Sequence, residues 1–103
     1  MEISIKDFGK LSETVIQEYT LTNRQGVSLS AITYGAAVTS IQTPDKNGLF
    51  QNIVLGYTDL NEYVNYRPYY GATIGRVAGR IDKGAFTLEG THYNLETNDK
   101  TNH

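Results

Sequence analysis

The chain has 103 residues, enough for one small domain and too few for two of ordinary size. Its formal net charge of −2 supplies no basic field for a nucleic-acid backbone or an anionic membrane, so polyanionic partners are excluded. The absence of cysteine removes disulfides, thiolate nucleophiles and cysteine-based zinc sites together, and fits a cytoplasmic address.

The opening MEISIKDFGKLSET has no apolar run of signal-peptide type, and no stretch has enough consecutive apolar residues to span a bilayer. The chain is therefore expected to be soluble, unexported and free of the membrane. VIQEYTL at 15–21 is rich in β-branched and aromatic residues, and NRQG at 23–26 supplies turn chemistry before VSLSAITY at 27–34. Val27, Leu29 and Ala31 alternate with Ser28 and Ser30, which predicts a hairpin whose apolar row is its buried face. PDKNG at 44–48 predicts a second turn, because proline presets φ and Asn-Gly tolerates a positive one. The unbroken run Ile53, Val54, Leu55 then predicts a short strand buried on both faces.

TDLNEY at 58–63 is the one helical start, with Thr58 as the cap and Asp59 and Glu62 as acids near the positive end of the helix dipole. Five of the eight tyrosines, Tyr57, Tyr63, Tyr66, Tyr69 and Tyr70, crowd this stretch, and packing is their expected use. GAFTLEGTHYNLE from Gly84 predicts a hairpin turning at Gly90-Thr91, with Phe86, Leu88, Tyr93 and Leu95 in register. His92 is expected to be exposed on it. The sum is a single, mostly antiparallel β unit without repeats or low-complexity linkers.

Between the tyrosines and that hairpin lies YYGATIGRVAGRI, where Gly71, Gly75 and Gly79 share one spacing and Arg76 and Arg80 share it one step later. A helix here would carry interior glycines at about 1 kcal/mol each. The charges exclude a membrane dimerisation helix, and neither phosphate-loop pattern can be laid on the residues. An extended segment would put the glycines on one side and the arginines on the other. Two uses stay open at this level. Glycines can mark a sheet bend, with the arginines paired to acids such as Asp82 or Glu89; alternatively the guanidinium forks serve an oxygen-rich ligand.

The order of residues goes further. YGATIGRVAGRIDKGAFTLEGTHYNLETNDKTNH resembles the N-terminal part of the aldose 1-epimerases, in which a glycine-arginine stretch ending in [N/G]-R-I precedes a G-x-F-x-L-x-G-x-x-Y-x-L hairpin. ITYGAAVTSIQTPDKNG and NIVLGYTDLNEY resemble the family's earlier segments, so the resemblance covers residues 1–103 as one N-terminal segment of the domain.

The resemblance implies an all-β fold, a large antiparallel β-sandwich. It also implies a reaction without cofactor or metal that interconverts the α and β anomers of free aldoses such as galactose or glucose. A base takes the anomeric hydroxyl proton and an acid protonates the ring oxygen, which opens the ring. The family's glutamate base and histidine acid fall beyond the matching stretch, so no catalytic residue is expected among these 103. Arg80 matches the family's sugar-binding arginine. Gly79 stands where many relatives carry a sugar-contacting asparagine and some carry glycine. Asn102-His103 matches the pair preceding the family's L-H-G-G, so His103 is not its sugar-binding histidine. The competing functions are a free-standing, non-catalytic carbohydrate-binding module and a β module with no ligand, in which Arg80 would be dispensable.

Overall fold

The computed structural model describes residues 1–66 and 68–103. The fold is antiparallel β, as the sequence predicts, and divides into two compact units, Met1–Thr73 and Ile74–His103. The first contains strands β1 (Glu2–Leu11), β2 (Thr14–Thr22), β3 (Ser28–Ile32), β4 (Val38–Pro44) and β5 (Phe50–Asn52), then helix α1 (Leu60–Asn65). The strands form one five-stranded sheet in chain order, every neighbour antiparallel. The second unit contains a single 3-10 turn, Asp82–Gly84, and the hairpin β6 (Ala85–Leu88) and β7 (Thr91–Asn94).

Local chemistry accounts for the turns. Asn23 Oδ1 accepts the amides of Gln25 and Val27, closing the β2–β3 hairpin where NRQG predicts it. Asp45 Oδ1 accepts those of Asn47 and Leu49, and Gly48 takes φ 82°, so PDKNG turns as expected. The cap of α1 is Asp59, whose side chain accepts from the Asn61 amide, rather than Thr58. A carboxylate at this position adds its charge to the hydrogen bond. The second hairpin turns at Glu89 and Gly90, both at positive φ, one residue before the expected place. Phe86 opposes Tyr93 across it with ring centroids 5.1 Å apart, while Leu95 lies beyond β7 and its amide donates to the Gly84 carbonyl.

The buried face of the five-stranded sheet is the reverse of the one the alternation predicts. The pairs Ile3–Leu21, Ile5–Tyr19, Tyr19–Ala31, Leu21–Leu29 and Leu29–Ile41 place one apolar row on a common face. That face is open, with Ile3 63 % and Leu29 38 % exposed. The other face carries Ile16 and Ile32, which pack with Ala37 and with Leu60 of α1, flanked by Phe8, Tyr34, Tyr63 and Val64. It also buries Glu18, Ser30 and Thr39. The physical reason is that α1 packs on this side, so these residues lose solvent while the Val27, Leu29, Ala31 row has no cover within its own unit. A second correction concerns Ile53 and Leu55, which are 66 % and 74 % exposed: the strand stops at Asn52, so the run lies past the sheet rather than inside it.

Candidate functional site

The glycine-arginine segment is not a strand. Gly71 lies in a turn of the first unit, where φ is 66° and the Ala72 amide donates to the Tyr69 carbonyl. Its carbonyl accepts the Val38 amide at 2.8 Å, and a Cβ on Gly71 would stand 1.9 Å from the Val38 oxygen. Only glycine can occupy that position. Gly75, Arg76, Gly79 and Arg80 belong to the second unit and run without regular structure. A Cβ on Gly75 or Gly79 would meet no atom within 4 Å. The common spacing thus joins two unrelated demands, a close backbone approach at Gly71 and open space at Gly79.

Arg80 is the one arginine in an ion pair among the described residues. Its Nε donates to Asp99 Oδ2, and the side chains are 74 % and 43 % exposed. Asp99, rather than Asp82 or Glu89, is the acid that meets an arginine. Asp99 sits on a two-residue turn: its amide donates to the Asn102 carbonyl at 2.9 Å and the Asn102 amide returns the bond at 3.0 Å, with Lys100 at φ 59°. The turn is stitched beside Arg80, because Ile81 and His103 exchange two backbone hydrogen bonds and Asn102 Oδ1 accepts the Lys83 amide. Arg76 is exposed and forms no ion pair among the described residues.

The two histidines serve local structure. His92 is exposed on β7, as expected, with Nδ1 3.2 Å from Thr87 Oγ1 and Nε2 3.2 Å from Asn94 Oδ1. His103 Nδ1 donates to the Glu96 carbonyl at 2.7 Å.

In the first unit the tyrosines form a packed group: Tyr57 stands 5.2 Å from Tyr63, 5.7 Å from Tyr66 and 5.4 Å from Tyr70 by ring centroid. Tyr63 Oη also accepts the Tyr57 amide. Partial burial, and then the neighbouring Tyr70 and Glu62, push the Tyr57 hydroxyl above its ordinary value, since each disfavours the phenolate. Beside this group lies an open cleft of about 270 Å³, lined in part by Lys6, Phe8, Glu18, Thr39, Asn52 and Tyr57. Glu18 is held by Thr39 Oγ1, which donates at 2.6 Å, and by Lys6 Nζ at 3.2 Å. Little in the residue order points to this cluster, because an acid within a strand ordinarily faces water.

Among the described residues no group of three or more His, Cys, Asp or Glu side chains could hold a metal ion, and no helix is long and apolar enough to cross a membrane. The chemistry on offer in the second unit is hydrogen-bond donation by a guanidinium on an uncrowded segment.

Comparison with known proteins gives this segment its context. Residues 17–103 match the family model described as "Aldose 1-epimerase". Galactose mutarotase of Sus scrofa is 38 % identical over 87 residues, covering 84 % of this chain and 25 % of that protein. Aldose 1-epimerase of Streptococcus thermophilus is 34 % identical over 102 residues, covering 99 % of this chain and 29 % of that protein. The crystal structure of galactose 1-epimerase from Lactobacillus acidophilus superposes with a TM-score of 0.68 at 25 % identity, over 99 % of this chain and 29 % of that one. The chain thus spans between a quarter and a third of the length of these relatives. Strands β3 to β7, most of β2, the glycine-arginine segment and the Asp99 turn fall within the matched residues, and the chain belongs to the aldose 1-epimerase family.

Proposed function

We propose that this chain is the N-terminal part of an enzyme that interconverts the α and β anomers of a free aldose, galactose or glucose, and that it contributes Arg80 to the sugar site. The observation that carries the reading is an Arg80 guanidinium that is largely exposed on an uncrowded segment, within the residues matching the epimerase family. Its donors suit sugar hydroxyls and the ring oxygen, all of them acceptors. The reaction removes a proton from the anomeric hydroxyl and delivers one to the ring oxygen, opening the ring, and the same groups reverse their roles after rotation about C1–C2. On this reading the acid and base are supplied by polypeptide outside these 103 residues. Arg80 binds and orients the sugar. Gly79 leaves space beside it and adds no side-chain contact.

The test grafts this chain into the Streptococcus thermophilus enzyme in place of the 102-residue stretch it matches, and follows galactose mutarotation by polarimetry. The chain alone should not accelerate mutarotation, and the graft should. A hydrogen bond from a charged group contributes about 1.5–3 kcal/mol, so Arg80→Ala in the graft should lower kcat/KM roughly 10- to 150-fold. Arg80→Lys should recover part of it, since an ammonium cannot reproduce the planar fork. Arg76→Ala should stay close to the parent. A folded graft that turns over no galactose, or an Arg76→Ala loss exceeding that of Arg80→Ala, would sink the reading. Acceleration by the isolated chain that survives repurification would sink the assignment of acid and base to other polypeptide.

A further inference from the structure

We propose that Asp99 is the positioning residue for Arg80, gripping the guanidinium by its Nε edge so that the terminal Nη donors remain for two neighbouring oxygens of the aldose. This inference rests on the sugar-binding role proposed for Arg80 and names the group that orients it.

Asp99 takes the Nε–H and no other Arg80 donor among the described residues. Arginine presents its donors in a rigid plane, so fixing one edge fixes the direction of the rest. Nη1–H and Nη2–H project nearly parallel from the far side of the plane, a spacing that suits the oxygens of a vicinal diol as it suits the two oxygens of a carboxylate. Lysine, with one rotating ammonium, cannot be held at one edge and present another.

The carboxylate can do this because its backbone is fixed to the backbone of the arginine segment. The reciprocal Asp99–Asn102 bonds set the turn, the reciprocal Ile81–His103 bonds attach its far end one residue after Arg80, and the Lys83 amide to Asn102 Oδ1 bond adds a third point. An exposed ion pair itself adds little to the stability of a fold, because water screens it and ordering the side chains costs entropy. With Arg80 74 % exposed, the pair lies in that weak class, so orientation rather than stability is its main consequence. The spacing between the two residues, nineteen positions across an intervening hairpin, is a product of the fold.

Two measurements test the assignment. The first uses the 103-residue chain labelled with ¹⁵N and reads hydrogen exchange at Arg80 Nε–H. Asp99→Asn should accelerate that exchange several-fold and Asp99→Glu should restore it in part, with thermal unfolding unchanged in both. The second uses the Streptococcus thermophilus graft and separates KM from kcat for galactose. Loss of one charge-assisted orientation should raise KM about 5- to 20-fold in Asp99→Asn, with kcat changing far less. Asp99→Glu should bring KM back towards the parent.

A merely structural role would instead lower the melting temperature and the active fraction, leaving KM of the surviving enzyme intact. Unchanged Nε–H exchange in Asp99→Asn overturns the proposal. So does faster exchange with an unaltered KM. A parent graft without turnover overturns the sugar-site reading and this use of the pair with it, whereas a parent graft with normal turnover and an indifferent Asp99→Asn overturns the positioning role alone.

Discussion

Replacing Gly71 by alanine tests whether the equal spacing of the three glycines reflects equal need. The φ of 66° puts a non-glycine residue in the left-handed region, which costs roughly 1–2 kcal/mol. The added Cβ would lie 1.9 Å from the Val38 oxygen and 2.9 Å from its carbonyl carbon, so the turn and β4 must separate. Separation breaks the Val38 amide to Gly71 carbonyl bond, worth about 1 kcal/mol net, and disturbs the packing of neighbouring strand residues. Together these predict about 3–5 kcal/mol of destabilisation for Gly71→Ala, at the upper end for single substitutions. Gly79→Ala is the control. Its Cβ meets nothing within 4 Å and its φ lies outside the left-handed region, so restricting the unfolded chain should leave stability unchanged or raise it by roughly 0.4–1 kcal/mol. Urea unfolding followed by circular dichroism measures both, and hydrogen exchange at the Val38 amide reports the broken bond directly. A Gly71→Ala protein within about 0.5 kcal/mol of the parent, or a Gly79→Ala loss of similar size to that of Gly71→Ala, would refute the assignment of different roles to the two glycines.

Two further predictions concern the first unit. Thr39→Val removes the hydroxyl that holds the buried Glu18 carboxylate and should cost about 1.5–3 kcal/mol, with much of that loss absent in a Glu18→Gln background. A double-mutant cycle that returns no coupling would contradict it. The raised pKa of Tyr57 means that the folded chain keeps its phenol proton after the unfolded chain has begun to lose it. The associated stability is therefore fully present below about pH 10 and is lost as pH rises through the folded value. Urea midpoints across this range should fall less steeply in Tyr57→Phe, and identical slopes would discount the tyrosine cluster as the cause.

What could be read from the residues was the chemistry that acts over a few positions. The turns at NRQG and PDKNG, the short helix after Thr58 and the Phe86–Tyr93 hairpin all rest on side chains bonding or packing close by in sequence. The same local view missed β1, whose Ile3–Ile5 alternation is short and interrupted by the irregularity between Asp7 and Gly9. It also chose the wrong face of β3. Alternation separates two rows of side chains, but α1, encoded some thirty positions later, determines which row is covered. For the site, the order of residues singled out Arg80. Asp99 stayed hidden because nothing near it in sequence indicates that its turn returns to Ile81.

The order of strands in the larger sheet has a bearing on how the protein is made. Strand order equals chain order, with no crossover, so each strand meets its partner as soon as it has been synthesised. Pairings between consecutive strands close short loops, and low contact order favours rapid folding. At about 5–20 residues per second, synthesis is slow beside the microseconds needed to form a hairpin, so the meander can grow strand by strand as it leaves the ribosome. The row of Ile3, Ile5, Leu21, Leu29 and Ile41 would then be assembled on the nascent sheet before synthesis of this chain is complete. During that interval it presents a surface suited to chaperones that hold apolar segments.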